Sequence, residues 1–201
     1  MSAAGGSSAV WRDAVAASTL GSGNLRDVVR LPCGEDKNEW LAVNIMDLMK
    51  QVRMLYGVVF GAEGGCNEKT CPVMSARGKE YFWTQGDLLL STPAPTYIDY
   101  ALTWCQLQLE DENIFPSHIG KGFPPHYDQV CETIMRRLFR VYAHVYHAHT
   151  NVFRSLKAIA HLNTSFKQFI LFASQFQLIP REELQPLMPL IEELVGSQLA
   201  S

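Results

Sequence analysis

The sequence predicts a mainly α protein, a helical bundle with a small β-hairpin and a Cys/His set suited to a structural zinc site. Three observations lead there: apolar residues recur at steps of three and four along several long segments, strand-like sequence is confined to Lys79–Leu90, and two cysteines and two histidines occur as spaced pairs. A length of 201 residues suits one domain with a tail. The expected division is a flexible tail and regulatory segment over 1–30 and a helical-bundle domain over 31–201.

Met1 to Val10 are nearly all small and offer too little apolar surface to offset the entropy of ordering them. Trp11 to Leu31 holds a turn-like string and a short possible helix before Pro32-Cys33-Gly34 punctuates the chain. From Glu39 to Tyr56 the stripe Leu41, Ile45, Leu48, Val52 and Leu55 predicts an amphipathic helix. Gly57 to Gly78 has no helical period and reads as a loop organised by something other than packing. Lys79–Trp83 and Asp87–Leu90 read as two strands of one hairpin about Gly86.

Thr96-Tyr-Ile-Asp99 has the pattern of a capping box, and Ile98, Ala101, Leu102, Cys105 and Leu109 continue a helix expected to stop near Glu112. Phe115 to Pro125 is a loop by its prolines and glycines, after which Val130, Ile134, Leu138, Val141 and Val145 mark a second long helix. Further helices are expected from Thr164 and over Leu184–Leu194, the last tolerating Pro186 only in its first turn.

A formal charge of -3, with 17 basic against 20 acidic residues, argues against a nucleic-acid partner. No apolar run approaches the ~20 residues of a bilayer span, and the start lacks the basic-then-apolar pattern of a signal peptide, so a soluble intracellular chain without membrane insertion is expected. Five cysteines are an odd count without the density of a disulfide scaffold.

Cys66 and Cys71 form a C-x4-C pair, and His144 and His149 an H-x4-H pair with His147 between them. Such ligands suit tetrahedral zinc, although loop thiols and polar tips on a buried helix explain the same residues equally well. Residues five apart on a straight helix point ~140° apart, so periodicity alone pairs His144 with His147. For His149 to join, the helix must end or distort there, which the weak helix formers His149, Thr150 and Asn151 allow. A catalytic zinc is disfavoured by the lack of H-E-x-x-H and of an adjacent carboxylate.

Arg136, Arg137 and Arg140 share one ~100° arc of their helix. They read either as a solvated, locally paired face or as a clamp for phosphate. Glu35, Asp36 and Glu39 beside Trp40 are fully explained by helix capping, or form an acidic, aromatic-centred dock for a basic partner.

Five strings together carry a more specific signal: Thr19-Leu-Gly-Ser-Gly-Asn-Leu25, Leu31-Pro-Cys-Gly-Glu-Asp-Lys-Asn-Glu-Trp-Leu-Ala-Val-Asn44, Cys71-Pro-Val-Met-Ser75, Arg137-Leu-Phe-Arg-Val-Tyr-Ala-His144 and Ala160-His-Leu-Asn-Thr-Ser-Phe166. In these strings, and from about Thr19 to about Leu194, the chain resembles the Mob/phocein family. The resemblance implies a non-catalytic adaptor that binds and activates NDR/LATS-type AGC kinases in mitotic exit, cytokinesis or growth control of the Hippo kind. It implies a helical bundle with structural Zn2+ on Cys66, Cys71, His144 and His149, so it favours His149 over the His147 of a straight helix. It also implies a phosphopeptide site for upstream Hippo-type kinases at Arg136, Arg137 and Arg140, a kinase-docking surface at Glu35, Glu39 and Trp40, and regulatory phosphorylation at Thr19. Localisation by the same resemblance is cytoplasmic, with nucleus, spindle poles or division sites in addition.

The chain departs from the family's pattern in a shorter stretch before Thr19, about three extra residues before Cys66, including Gly64 and Gly65, and a shorter hairpin without its customary lysines. The alternatives are a phocein-type scaffold in phosphatase-linked assemblies and, from another class, a zinc hydrolase. The Glu-Asp-x-Asn-Glu-Trp string favours the activator branch.

Overall fold

Side-chain oxygens start the first two helices among the described residues. The computed structural model describes residues 19–20, 24–118 and 120–196, and the tail expected over Met1–Val10 lies outside them. Asn24 Oδ1 accepts from the Arg26 N–H at 3.2 Å to cap a single turn, α1 (Leu25–Val28), and Arg26 donates to the Val195 carbonyl at 2.7 Å. Asp36 caps α2 (Lys37–Phe60), its Oδ1 accepting from the N–H groups of Asn38 and Glu39 at 2.8 and 3.0 Å. The stripe of α2 is Leu41, Ile45, Leu48, Met49, Val52, Tyr56 and Val59, so the helix runs one turn beyond the expected Tyr56 because Val59 extends the buried face.

The hairpin expected about Gly86 is present, its first strand starting at Trp83 and not at Lys79, and a second two-stranded ribbon precedes it. β1 (Ser75–Ala76) pairs antiparallel with β2 (Lys79–Glu80), and β3 (Trp83–Gln85) with β4 (Leu88–Leu90). Arg77 and Gly78 both take positive φ, 49° and 80°, the pattern of a tight two-residue hairpin turn, which turns Lys79 back onto Ala76. Tyr81 is then buried, its N–H bonded to the Met74 carbonyl at 2.8 Å, and this break separates the ribbons.

α3 (Ala94–Glu110) starts two residues before the expected cap at Thr96. Pro93 stands at the cap without a side-chain bond, Pro95 fits a first turn that needs no N–H, and the Ala94 N–H is taken by the Cys71 carbonyl at 3.0 Å. α4 (Tyr127–Ala148) is the axis of the bundle, with Ile134, Met135, Leu138, Phe139, Ala143 and Tyr146 all fully buried. It packs against α2, α3, β1 and α5 (Thr150–Ser155).

α6 (Ile159–Gln175) begins before the expected Thr164, because Ile159 and Leu162 already belong to its buried face. Thr164 sits inside the helix and bonds back to the Ala160 carbonyl at 2.7 Å. Rings join α4 to α6: Tyr142 meets Phe166 and Phe169 at 5.1 and 5.0 Å, and Tyr146 meets Phe166 at 5.1 Å. Their hydroxyls are matched, Tyr146 donating to Asn163 at 2.9 Å and Tyr142 donating to Ser165, which donates on to Gln51. The last expected helix is divided into α7 (Arg181–Leu184), a 3-10 turn Gln185–Leu187 that absorbs Pro186, and α8 (Met188–Val195).

No helix among the described residues is long and apolar enough to cross a membrane. Leu138 is fully buried where α4 meets its neighbours, so Leu138→Ala is expected to cost about 2–5 kcal/mol, read as a lowered urea midpoint at unchanged slope.

Candidate metal centre and charged surfaces

The end of α2 and the loop after it deliver the two cysteines. Gly61 closes the helix, and Gly65 presses against it so closely that a Cβ there would lie 1.9 Å from the Val59 carbonyl oxygen. The Cys66 N–H donates to that same carbonyl at 3.2 Å. Asn67 Oδ1 accepts from the N–H groups of Lys69 and Thr70, and the Cys71 N–H donates to the Asn67 carbonyl at 2.8 Å, a tight turn that brings the second cysteine back beside the first.

The histidines come from the end of α4. His144 lies on its buried face, and the helix stops at Ala148, with His149 as C-cap at φ −129° and ψ 13°. The break expected from the sequence is therefore present, and it swings His149 back to the His144 side. His147, preferred by straight-helix periodicity, is exposed and stands outside the cluster. Cys66, Cys71, His144 and His149 are all buried, and their ligand atoms lie within 4.8 Å of one another.

The donor geometry fits a tetrahedral ion. Cys66 Sγ is 3.5 Å from His144 Nε2 and Cys71 Sγ is 3.3 Å from His149 Nε2, close to the ~3.5 Å edge of a tetrahedron with zinc–sulfur and zinc–nitrogen bonds of ordinary length. His144 Nδ1 donates to the Ser75 carbonyl at 3.0 Å, which fixes the ring and leaves the Nε2 lone pair facing the sulfurs. Burial and the neighbouring Cys71 push the Cys66 thiol up to about 12. Burial, with His144 adding to it, pushes His149 down to about 4, and burial lowers His144 as well. Both imidazoles are thus held neutral, the ligating form, and a dication would supply the charge that two buried thiolates need. With four protein donors the centre is closed, as structural zinc sites are.

The arginines of α4 are drawn into a set of contacts that the sequence did not disclose. Arg137 is stacked between Trp83 and Trp104, its guanidinium carbon 4.3 and 3.9 Å from the two rings. Arg140 donates to the Tyr97 hydroxyl at 2.9 Å and to Glu183 at 3.0 Å, and lies over the Tyr81 ring at 5.2 Å. Arg136 donates to Thr133 Oγ1 at 3.1 Å. Burial pushes the Glu183 carboxyl up, but Arg140 and Lys79 outweigh it and hold it below the usual carboxylate range. Trp83, Tyr97, Trp104 and Glu183 come from three other segments, which no spacing along α4 could reveal.

At the start of α2, Asp36 alone makes the capping bonds, while Glu35 and Glu39 are exposed and form no side-chain bond or ion pair among the described residues. Trp40 is half-buried against the core and donates to the Val29 carbonyl at 3.4 Å. Thr19 is half-buried, and the Leu20 N–H donates to Thr164 Oγ1 at 2.8 Å at the edge of an apolar groove between α2 and α6.

A model of the Mob1/phocein family matches residues 17–187. The chain is 51% identical over 184 residues to the MOB kinase activator-like 1 homolog A of Dictyostelium discoideum, covering 90% of this chain and 85% of that protein. It is 49% identical over 183 residues to the MOB kinase activator-like 1A of Arabidopsis thaliana, covering 89% and 84% respectively.

Cobalt(II) titration should give the absorption of a tetrahedral S2N2 site at one equivalent, retained in His147→Ala and lost in His149→Ala. Chelation of the zinc-loaded chain should lower its melting temperature sharply and leave the melt of His149→Ala unmoved. Gly65→Ala places a methyl group against backbone oxygen, so it should weaken zinc retention at least tenfold in a competition assay.

Proposed function

The chain belongs to the Mob1/phocein family, and from that premise we propose that it is a regulator, not a catalyst, which activates an NDR/LATS-type protein kinase by holding the basic segment that precedes the kinase domain. The observation that carries this reading is the division of labour at the start of α2: Asp36 satisfies the helix, so Glu35 and Glu39 are free to meet a basic partner. Trp40, tied to Val29, gives that acidic surface a fixed apolar flank. Carboxylates at a helix N-terminus already sit in a favourable field, so a cationic helix docks against a surface that needs no rearrangement.

Zinc, when bound, supplies no reaction chemistry; it staples the Cys66–Cys71 loop to the end of α4, a contribution on the order of 10 kcal/mol in small zinc domains. The platform so formed carries the arginine cluster, which we read as the seat of a phosphothreonine segment of an upstream Hippo-type kinase. Thr19 lies at the other end of the regulation. Its phosphorylation adds charge next to the α2–α6 groove. Kinase activation is then a shift of population towards the active arrangement, with the docked segment as the differential contact. Mitotic exit, cytokinesis and growth control are the processes this role fits.

Titration calorimetry with the zinc-loaded chain and the basic segment of its host's own kinase checks the reading. Binding should weaken about tenfold between 50 and 200 mM salt and be lost in Glu35→Lys. No binding, before or after phosphorylation of Thr19, would point instead to a phocein-type scaffold.

A further inference from the structure

The carboxylate of Glu183 reaches the arginine cluster from α7, and both of its oxygens are engaged. Oε1 lies 3.0 Å from Arg140 Nη2 and Oε2 lies 3.3 Å from Lys79 Nζ, with the Glu183 side chain only 19% exposed. The Tyr97 hydroxyl takes the other terminal nitrogen of Arg140 at 2.9 Å. By contrast, Arg136 Nε, Arg137 Nη1 and Arg140 Nε are buried without a hydrogen-bond partner. One anion therefore already pairs with two cations, Arg140 and Lys79, while a nitrogen of each of the three guanidinium groups is left unmatched.

We propose that Glu183 is the specificity-determining residue of this cluster, a resident carboxylate that keeps out the carboxylates of acidic peptides and yields only to a phosphate dianion. The proposal rests on the phosphothreonine reading of Arg136, Arg137 and Arg140 given above. An Asp or Glu of a passing peptide brings one negative charge and two oxygens, which is what Arg140 already has. Exchange would gain nothing and would leave Glu183 facing a second anion in a half-buried site. A phosphothreonine brings about −1.5 to −2 charges and three strong acceptor oxygens, enough to engage Arg136 and Arg137 together with Arg140. Discrimination between two anions needs a fixed repulsive element as well as attractive ones, and Glu183 is placed to be that element.

The test uses the full zinc-loaded chain and two fluorescent peptide pools with degenerate flanks, one with phosphothreonine at the centre and one with Glu in its place. The unaltered chain should bind the phosphothreonine pool and not the Glu pool. Glu183→Gln keeps the shape and the acceptor for Arg140 but removes the charge. It should bind the phosphothreonine pool about tenfold more tightly, equivalent to about 1.4 kcal/mol, and acquire measurable binding of the Glu pool. Glu183→Ala should shift both pools in the same direction, and Arg140→Ala should lose both, with thermal melts showing each variant folded. Equal or weaker phosphothreonine binding by Glu183→Gln, with the Glu pool still excluded, would overturn the proposal and make Glu183 a brace for Arg140. A folded chain that binds neither pool, with or without Glu183, would overturn the phosphothreonine reading itself and the proposal with it.

Discussion

Four buried donor atoms, two from a loop and two from the end of a helix, have to meet around one point, and each facing Cys–His pair is separated by 78 residues of chain. Closing a loop of that length costs conformational entropy that the local sequence cannot recover by itself. Much of the surrounding structure follows from the need to hold the two ends in place. Gly65 lies against Val59 because a side chain would push Cys66 away, the Cys71 carbonyl starts α3, and the Ser75 carbonyl orients His144 from β1. The centre thus touches α2, β1, α3 and α4 at once, and disturbing it disturbs the frame on which the charged surfaces stand.

Those surfaces differ in how their charges are held. Glu35 and Glu39 project from a helix start whose hydrogen bonds are complete without them, so their field is open to solvent and to any cation that approaches. Arg137 is enclosed by two rings and Arg140 is countered by Glu183. An open acidic surface favours rapid, salt-sensitive encounter, whereas an enclosed basic one favours geometric selection over speed.

Helical periodicity made most of the bundle legible, because a stripe such as Leu41, Ile45, Leu48 and Val52 reports burial directly. Helix starts were read less well where the satisfying group was remote: Ala94 is served by Cys71 across a loop, and no cap motif in its own neighbourhood could show that. The hairpin about Gly86 was read correctly but its first strand too long, because Lys79 and Glu80 belong to the β1–β2 ribbon, whose turn is closed by a positive φ at Arg77, a residue with no special liking for it. At the candidate metal centre, residue types and family resemblance selected Cys66, Cys71, His144 and His149, while straight-helix geometry would have chosen His147; the end of α4 at Ala148 brings His149 and not His147 into the cluster. The partners of the arginines were out of reach, since ring stacking and the Glu183 pair depend on how three distant segments converge.

The stacking of Arg137 gives the protein an optical property. Two of the chain's four tryptophans lie within 4.3 Å of this one guanidinium, so their emission is tied to where that side chain sits. Drawing the guanidinium towards an incoming anion would change the polarity at both indole faces together. The basic surface of α4 therefore contains its own fluorophores, and events there are visible in ultraviolet light without a label.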